Sequence, residues 1–185
     1  FPGVLFSTNN SAAALSDHGA SASVLADAPR DIDRLGIGLY GVNPHIERDS
    51  KPTKQRLANV ATLEAQVLQV RQVEAGAEVG YGSTYRVSEA SRLATIGSGY
   101  ADGIPRLLSN RGHVYFRGHR FPIVGRISMD SLVVELPDTA DCNLQEGDWV
   151  EIFGANLSVD DVAQQAETIA YEVYTGIGSR VRRLL

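Results

Sequence analysis

Six short β-rich runs fill the middle and end of the chain, at 63–73, 93–98, 113–116, 121–124, 131–136 and 149–153. Glycine, proline and aspartate separate them, as in Glu74-Ala75-Gly76, Pro137-Asp138 and Glu146-Gly147-Asp148. Short strands with turns at this spacing predict an antiparallel sheet or barrel. One helix interrupts the pattern near the end. Ser158 stands three residues before Asp161 in a capping-box-like start, and Val162, Ala166, Ile169 and Val173 follow at helical spacing.

Upstream the character differs. Residues 3–7 read as a short buried strand, and Asn10 or Ser11 as the cap of an alanine-rich helix. The stretch 16–33, rich in Ser, Asp, Ala and Gly, reads as helix end and loop. Residues 34–41 are strand-like but heavy in glycine, which suits a backbone that approaches a ligand closely. From 43 to 56 the chain turns polar, with Pro44, Pro52, Lys51 and Lys54, and reads as a linker. The organisation is a strand–helix–strand piece joined to a compact β-rich domain, with no internal repeat.

Counts narrow the function. With 185 residues, 43% of them hydrophobic, the chain can bury one good core, or one domain plus a piece of another. A net charge of −5 argues against non-specific nucleic-acid binding. No apolar run reaches the roughly 18 residues of a membrane helix, and Phe1-Pro2-Gly3 does not open a signal peptide. Cys142 is the only cysteine, which excludes an internal disulfide and fits a reducing compartment. The four histidines (18, 45, 113 and 119) lack metal-ligand spacing, so no zinc site is expected. Met129 is the only methionine, so a processed chain or a fragment is expected. Of 17 basic residues only Lys51 and Lys54 are lysines, and chemistry that needs a buried lysine must find it elsewhere.

Five motifs carry polar chemistry. Gly80-Tyr81-Gly82-Ser83-Thr84-Tyr85 holds a tyrosine between two glycines, as proton transfer at a closely approaching ligand requires, or as a turn with a half-buried aromatic. Ser98-Gly99-Tyr100-Ala101-Asp102-Gly103, with Arg106 after it, is a polar-ligand loop or a turn with a left-handed glycine. Gly125-Arg126-Ile127-Ser128-Met129-Asp130 is poor core material. Its arginine and backbone N–H groups suit a carboxylate, unless Arg126 and Asp130 form a surface pair. Arg34-Leu35-Gly36-Ile37 and Asn10-Ser11 offer N–H and hydroxyl donors suited to a phosphate.

In this order the motifs resemble the C-terminal half of alanine racemase. The series runs Asn10-Ser11-Ala12, Arg34-Leu35-Gly36-Ile37 with Leu39-Tyr40-Gly41, and Gly80-Tyr81-Gly82-Ser83-Thr84. Gly99-Tyr100-Ala101-Asp102-Gly103 and Gly125-Arg126-Ile127-Ser128-Met129-Asp130 follow. Glu167-Thr168-Ile169-Ala170-Tyr171-Glu172 and Arg180-Val181-Arg182-Arg183 close it. The resemblance covers the chain essentially end to end. Departures are local: Ser7 stands where the family often has histidine, Arg182 where proline is common, and the loop from Ser11 to Arg34 is longer than usual.

The resemblance implies a pyridoxal-phosphate (PLP) enzyme that interconverts L- and D-alanine as a cytoplasmic head-to-tail homodimer, supplying D-alanine for peptidoglycan. It implies a mainly β fold. Residues 1–55 would be the end of a truncated (β/α)8 barrel plus linker, and 56–185 the C-terminal β-domain with one helix near its end. Ser11, Gly36, Ile37 and Tyr171 match residues that hold the cofactor phosphate, and Arg34 matches the arginine facing the pyridine nitrogen. Tyr81 matches the catalytic tyrosine, opposed across the substrate Cα by a lysine. Met129 matches the residue whose N–H binds the substrate carboxylate, while Tyr100, Arg106, Arg126 and Ile169 match the substrate entrance. Tyr81, Tyr100 and Met129 would serve the partner's cofactor. The cofactor lysine belongs to the early barrel, and Lys51 and Lys54 match linker, so this chain alone is expected to be inactive. A serine or broad-specificity racemase, or a non-catalytic β-module for binding or assembly, stands as an alternative.

Overall fold

The computed structural model describes residues 10–15, 32–44, 57–137 and 143–184. The expected strand at 3–7, Ser7, most of the 16–33 loop, both lysines, His18, His45, most of the linker and Cys142 lie outside the described residues. The chain divides into two compact units, 1–60 and 61–185.

In the first unit, helix α1 (Ser11–Ala14) is capped by Asn10, whose Oδ1 accepts from the Ala13 N–H at 3.0 Å. Asn10 and Arg34 form a parallel bridge. The strand-like expectation for 34–41 is corrected beyond that point, because Ile37–Tyr40 is a 3-10 turn. Gly41 ends it at φ +81, with the Ala58 carbonyl where a Cβ would sit. The glycines that looked like strand interruptions are the hinges of this turn.

The second unit is a nearly closed antiparallel barrel. Its strands are β1 (Leu63–Val73), β4 (Ser91–Ile96), β5 (His113–Phe116), β6 (His119–Pro122), β7 (Leu132–Leu136) and β8 (Trp149–Phe153), in the order β6-β5-β8-β1-β4-β7. A two-stranded ribbon, β2 (Glu78–Val79) and β3 (Tyr85–Arg86), stands beside it. β1 holds the wall together by pairing with β8 through its first half and β4 through its second. Its in–out alternation (Leu63, Ala65 and Val67 inward) breaks at a bulge that turns Leu68 out to solvent. The edges nearly meet where Ile123 bridges Val134, and the Val124 N–H donates to the Val133 carbonyl.

Val67, Ile96, Val114, Phe121, Leu132, Val134, Val150 and Ile152 fill the barrel, each burial worth about 1.5–3 kcal/mol. Leu93 belongs to a second cluster with Val79, Val87 and Val124, which packs the ribbon onto the barrel. This small cluster fixes the segment that carries Tyr81.

The strands expected at 93–98 and 121–124 each start two residues early and end two early, at 91–96 and 119–122. For β6 the cause is the tight turn Arg117-Gly118, both at positive φ, which lets pairing resume at His119. The single helix near the end is corrected to two, α2 (Val159–Gln165) and α3 (Ala170–Gly176). Ser158 caps α2 by accepting from the Asp161 N–H. The Thr168 N–H then donates to the Ala163 carbonyl and the Glu167 N–H to the Gln164 carbonyl, with Glu167 at φ +54. That is a Schellman ending made with glutamate where glycine is usual, so the apolar spacing runs through a break it does not reveal. No helix among the described residues is long and apolar enough to cross a membrane.

Candidate active site

In the first unit the Ser11 side chain, 4% exposed, is held beside the glycine-rich turn. Its Oγ accepts from the Gly36 N–H at 2.8 Å and from the Gly38 N–H at 3.4 Å. A serine hydroxyl has two acceptor sites and one donor; the two amides take the acceptors and leave the O–H to donate to an incoming acceptor. The Ile37 N–H heads the 3-10 turn with no acceptor among the described residues. No side chain crowds the Cα of Gly36, where the nearest neighbour of a Cβ would be Ser11 Oγ at 3.8 Å. Ser11, Gly36 and Ile37 thus lie together as a donor set. Arg34 is exposed two residues upstream of Gly36.

In the second unit four loops are bonded into one end of the barrel. The first is the ribbon turn, where Gly80 (φ +75), Gly82 (φ +73) and Ser83 (φ +48) present Tyr81, 73% exposed. Gly80 and Gly125 cross at backbone contact: a Cβ on Gly80 would lie 2.8 Å from the Arg126 nitrogen, and one on Gly125 2.7 Å from the Val79 oxygen. The Arg126 guanidinium lies over Gly82. The ribbon is tethered at its base, where the Tyr85 hydroxyl and Ser91 Oγ both donate to the Glu135 carboxylate of β7. That bond pushes the Tyr85 phenol up from 10.0 to about 12.

The loops around Tyr100 and Met129 are joined by their main chains. The Tyr100 N–H donates to the Ser128 carbonyl at 3.1 Å and the Ala101 N–H to the Met129 carbonyl at 3.0 Å. Gly99 permits this approach, since a Cβ there would lie 2.4 Å from both of those oxygens. Tyr100 starts a 3-10 turn that Gly103 closes at φ +98, so the left-handed glycine expected of a turn and the exposed tyrosine expected of a ligand loop occur together. The Met129 side chain is half exposed, and its N–H has no acceptor among the described residues.

The fourth loop, 105–112, braces the others. Asn110 Oδ1 accepts from the Gly125 N–H at 2.6 Å, and Ser109 Oγ accepts from the Ile127 N–H at 3.0 Å. Arg106 lies exposed in its 3-10 turn. Arg111 of this loop pairs with Glu167 at the α2–α3 break, next to exposed Ile169 and Tyr171. Asp130 pairs with Arg180 at 2.6 Å, not with Arg126. Arg180 also reaches Asp102 at 3.4 Å, and the two carboxylates hold its guanidinium above its usual range. Sequence reasoning assigned nothing to Asn110, Glu135 or Arg180. Of these only Arg180 stood inside a recognised motif, and its partners are 50 and more residues away.

Tyr81, Tyr100, Arg106, Arg126 and Met129 therefore belong to one interlocked loop end, and Ile169 and Tyr171 are tied to it through the Arg111–Glu167 pair. The cluster offers a phenol, an amide N–H and guanidinium groups, the complement of a small carboxylate-bearing molecule. Among the described residues no three His, Cys, Asp or Glu side chains gather as a metal site.

The fold and these loops define a class: a small antiparallel β-barrel domain with a polar site built on its loops. Residues 60–185 match the family described as "Alanine racemase, C-terminal domain". The chain is 42% identical over 162 residues to an alanine racemase of Brucella canis, covering 83% of this chain and 41% of that protein. It is 46% identical over 150 residues to a catabolic alanine racemase of Rhizobium johnstonii, covering 81% and 38%. The crystal structure of alanine racemase from Bartonella henselae, with covalently bound pyridoxal phosphate, superposes with a TM-score of 0.82 at 42% identity, over 100% of this chain and 47% of that one. The chain belongs to the alanine racemase C-terminal domain family. It spans about two fifths of the length of the curated relatives it matches.

Proposed function

We propose that this chain is the C-terminal part of an alanine racemase in which it supplies the tyrosine half of a two-base site. The single observation that carries this is the loop end, where Tyr81 projects to solvent from a glycine turn locked against the Arg126–Asp130 loop. Racemisation requires one group to remove a proton from Cα and another to deliver one to the opposite face. Tyr81 is the group on one face, and a lysine from outside this chain's barrel domain serves the other. Proton transfer through the Tyr81 phenol needs cationic or hydrogen-bonding neighbours, which the racemase barrel would supply. The Met129 N–H binds the substrate carboxylate. Tyr100, Arg106, Arg126 and Ile169 line the way in.

The donor set in the first unit fits the phosphate of pyridoxal phosphate: the Ser11 hydroxyl is left to donate, and the Gly36–Ile37 backbone is uncrowded. Ser11, Gly36 and Ile37 would hold that phosphate, in keeping with residues 1–55 being the end of a (β/α)8 barrel, a fold that commonly binds phosphate there. When bound, the cofactor supplies the electron sink for the carbanion at Cα. Arg34, facing the pyridine nitrogen, would keep it unprotonated because arginine does not give up its proton. Arg34 would thereby weaken that sink and limit side reactions.

In a head-to-tail homodimer Tyr81, Tyr100 and Met129, all exposed on the loop end, would serve the partner's cofactor. The intact protein would be cytoplasmic and make D-alanine for peptidoglycan. In the full-length protein, Tyr81→Phe should lower turnover by about 10²–10⁴-fold in both directions, the usual worth of a positioned acid–base group. Near-wild-type turnover would refute the role given to Tyr81. The ratio of activities on alanine and serine then separates a strict alanine racemase from a broad-specificity one.

A further inference from the structure

The loops that carry Tyr100 and Met129 meet a third element that no motif explained. Asp102 ends the Tyr100 turn and is only 15% exposed at its side chain. Its Oδ2 accepts from the Gly99 N–H at 2.9 Å, and its Oδ1 faces Arg180 Nε at 3.4 Å. Asp130 follows Met129 directly, and its Oδ1 accepts from Arg180 Nη2 at 2.6 Å. The chain reaches Arg180 from the end of α3, where Gly103 and Gly176 touch backbone to backbone: a Cβ on Gly103 would lie 2.3 Å from the Gly176 oxygen.

One guanidinium therefore bridges two carboxylates from two loops, one adjoining the Met129 amide and the other two residues beyond Tyr100. An exposed ion pair of this kind adds little to global stability. Its geometry is another matter, because the planar fork of arginine fixes two acceptors at once where an ammonium offers a single point charge. Among the described residues these loops are also tied by the Tyr100–Ser128 and Ala101–Met129 main-chain bonds, and both lie beside the clamp. We infer that Arg180 is a positioning residue, a clamp that holds the Met129 N–H and Tyr100 in the geometry that receives the substrate carboxylate.

The inference rests on the racemase reading above, and its test separates the two. In the full-length protein, Arg180→Gln and Asp130→Asn should each raise KM for alanine about tenfold while kcat changes less than about threefold, as expected when ground-state carboxylate binding is lost. L- and D-alanine are enantiomers with an equilibrium constant of one, so kcat/KM must fall equally in both directions. The double variant should be no worse than either single one. Arg180→Lys keeps the charge without the fork and should retain the melting temperature but not KM. Hydrogen exchange in the same proteins should show the Tyr100 and Ala101 amides opening at least about tenfold faster in Arg180→Gln, with the β4–β7 amides unmoved.

A lowered melting temperature with unchanged KM would overturn the clamp, as would faster exchange without a KM change or a KM change without faster exchange. A wild-type protein that does not racemise alanine would instead sink the racemase reading, and the exchange comparison would still decide whether Arg180 clamps the loops.

Discussion

Val134 in the barrel wall is wholly buried, whereas Tyr81 in the loops is 73% exposed. The same division separates Phe121, Ile96 and Leu132 from Tyr100, Met129, Leu107 and Ile169. Both sets are apolar or aromatic, yet only the first is covered by this chain. The wall obeys the ordinary rule that large apolar groups leave water on folding. The loop end breaks it while spending glycines at positive φ and backbone-to-backbone contacts to hold exposed side chains still. A region built rigidly and left uncovered is built to be covered by something else. The contrast says where stability resides and, on the proposed reading, where function does.

Substitutions can break that contrast from either side. The largest effect on stability should come from the wall. Phe121→Ala should cost about 3–5 kcal/mol and lower the melting temperature of the unit sharply, whereas Tyr81→Phe should leave it unchanged. Equal melting temperatures for the two variants would abolish the distinction.

Gly125→Ala tests the joint between the regions. It places a Cβ 2.7 Å from the Val79 oxygen at φ +74, and strain of that kind costs about 1–3 kcal/mol. Because Gly125 locks the Tyr81 turn, activity of the full-length protein should fall by more than stability alone explains. A loss of stability with unchanged kinetics would show that the lock does not matter to the site.

The smallest effect lies at the ribbon's base. Tyr85→Phe removes one hydrogen bond to Glu135, worth about 1 kcal/mol or less at this partly exposed position. The Tyr85 phenol is raised from 10.0 to about 12 by that bond. A group whose folded value is raised contributes stability that is fully present below the unfolded value and lost as pH rises through the folded one. The tether should therefore hold up to about pH 10 and fail as pH passes about 12, while the Val79–Val87–Leu93–Val124 cluster still packs the ribbon onto the barrel. Tyrosinate absorbance of wild type against Tyr85→Phe reports the titration. A Tyr85 that ionises near 10 would show that the Glu135 bond is absent in solution.

The wall was largely legible in the sequence. The strands Leu63–Val73, His113–Phe116 and Trp149–Phe153 have the bounds that apolar runs and turn residues indicate, because burial, alternate in His113–Phe116 and continuous over Val150–Phe153, is itself a local pattern. The α2–α3 break was not legible, since Glu167 adopts the conformation that glycine usually signals. Nor was the 3-10 turn Ile37–Tyr40, where apolar residues between glycines imitate a strand. Of the site, the residues at glycine turns stood out, Tyr81 and Tyr100 among them. The residues that hold the loops together did not, because Asn110, Glu135 and Arg180 act across 15 to 50 residues and more, leaving no local spacing to read.

On the proposed reading this chain holds one base of a two-base site. The direct measurement is chiral analysis of alanine incubated with the purified 185-residue chain and pyridoxal phosphate. No D-alanine should form from L-alanine beyond the rate with the cofactor alone, and no visible absorbance band of lysine-bound cofactor should appear. D-alanine formed well above that background would contradict that reading.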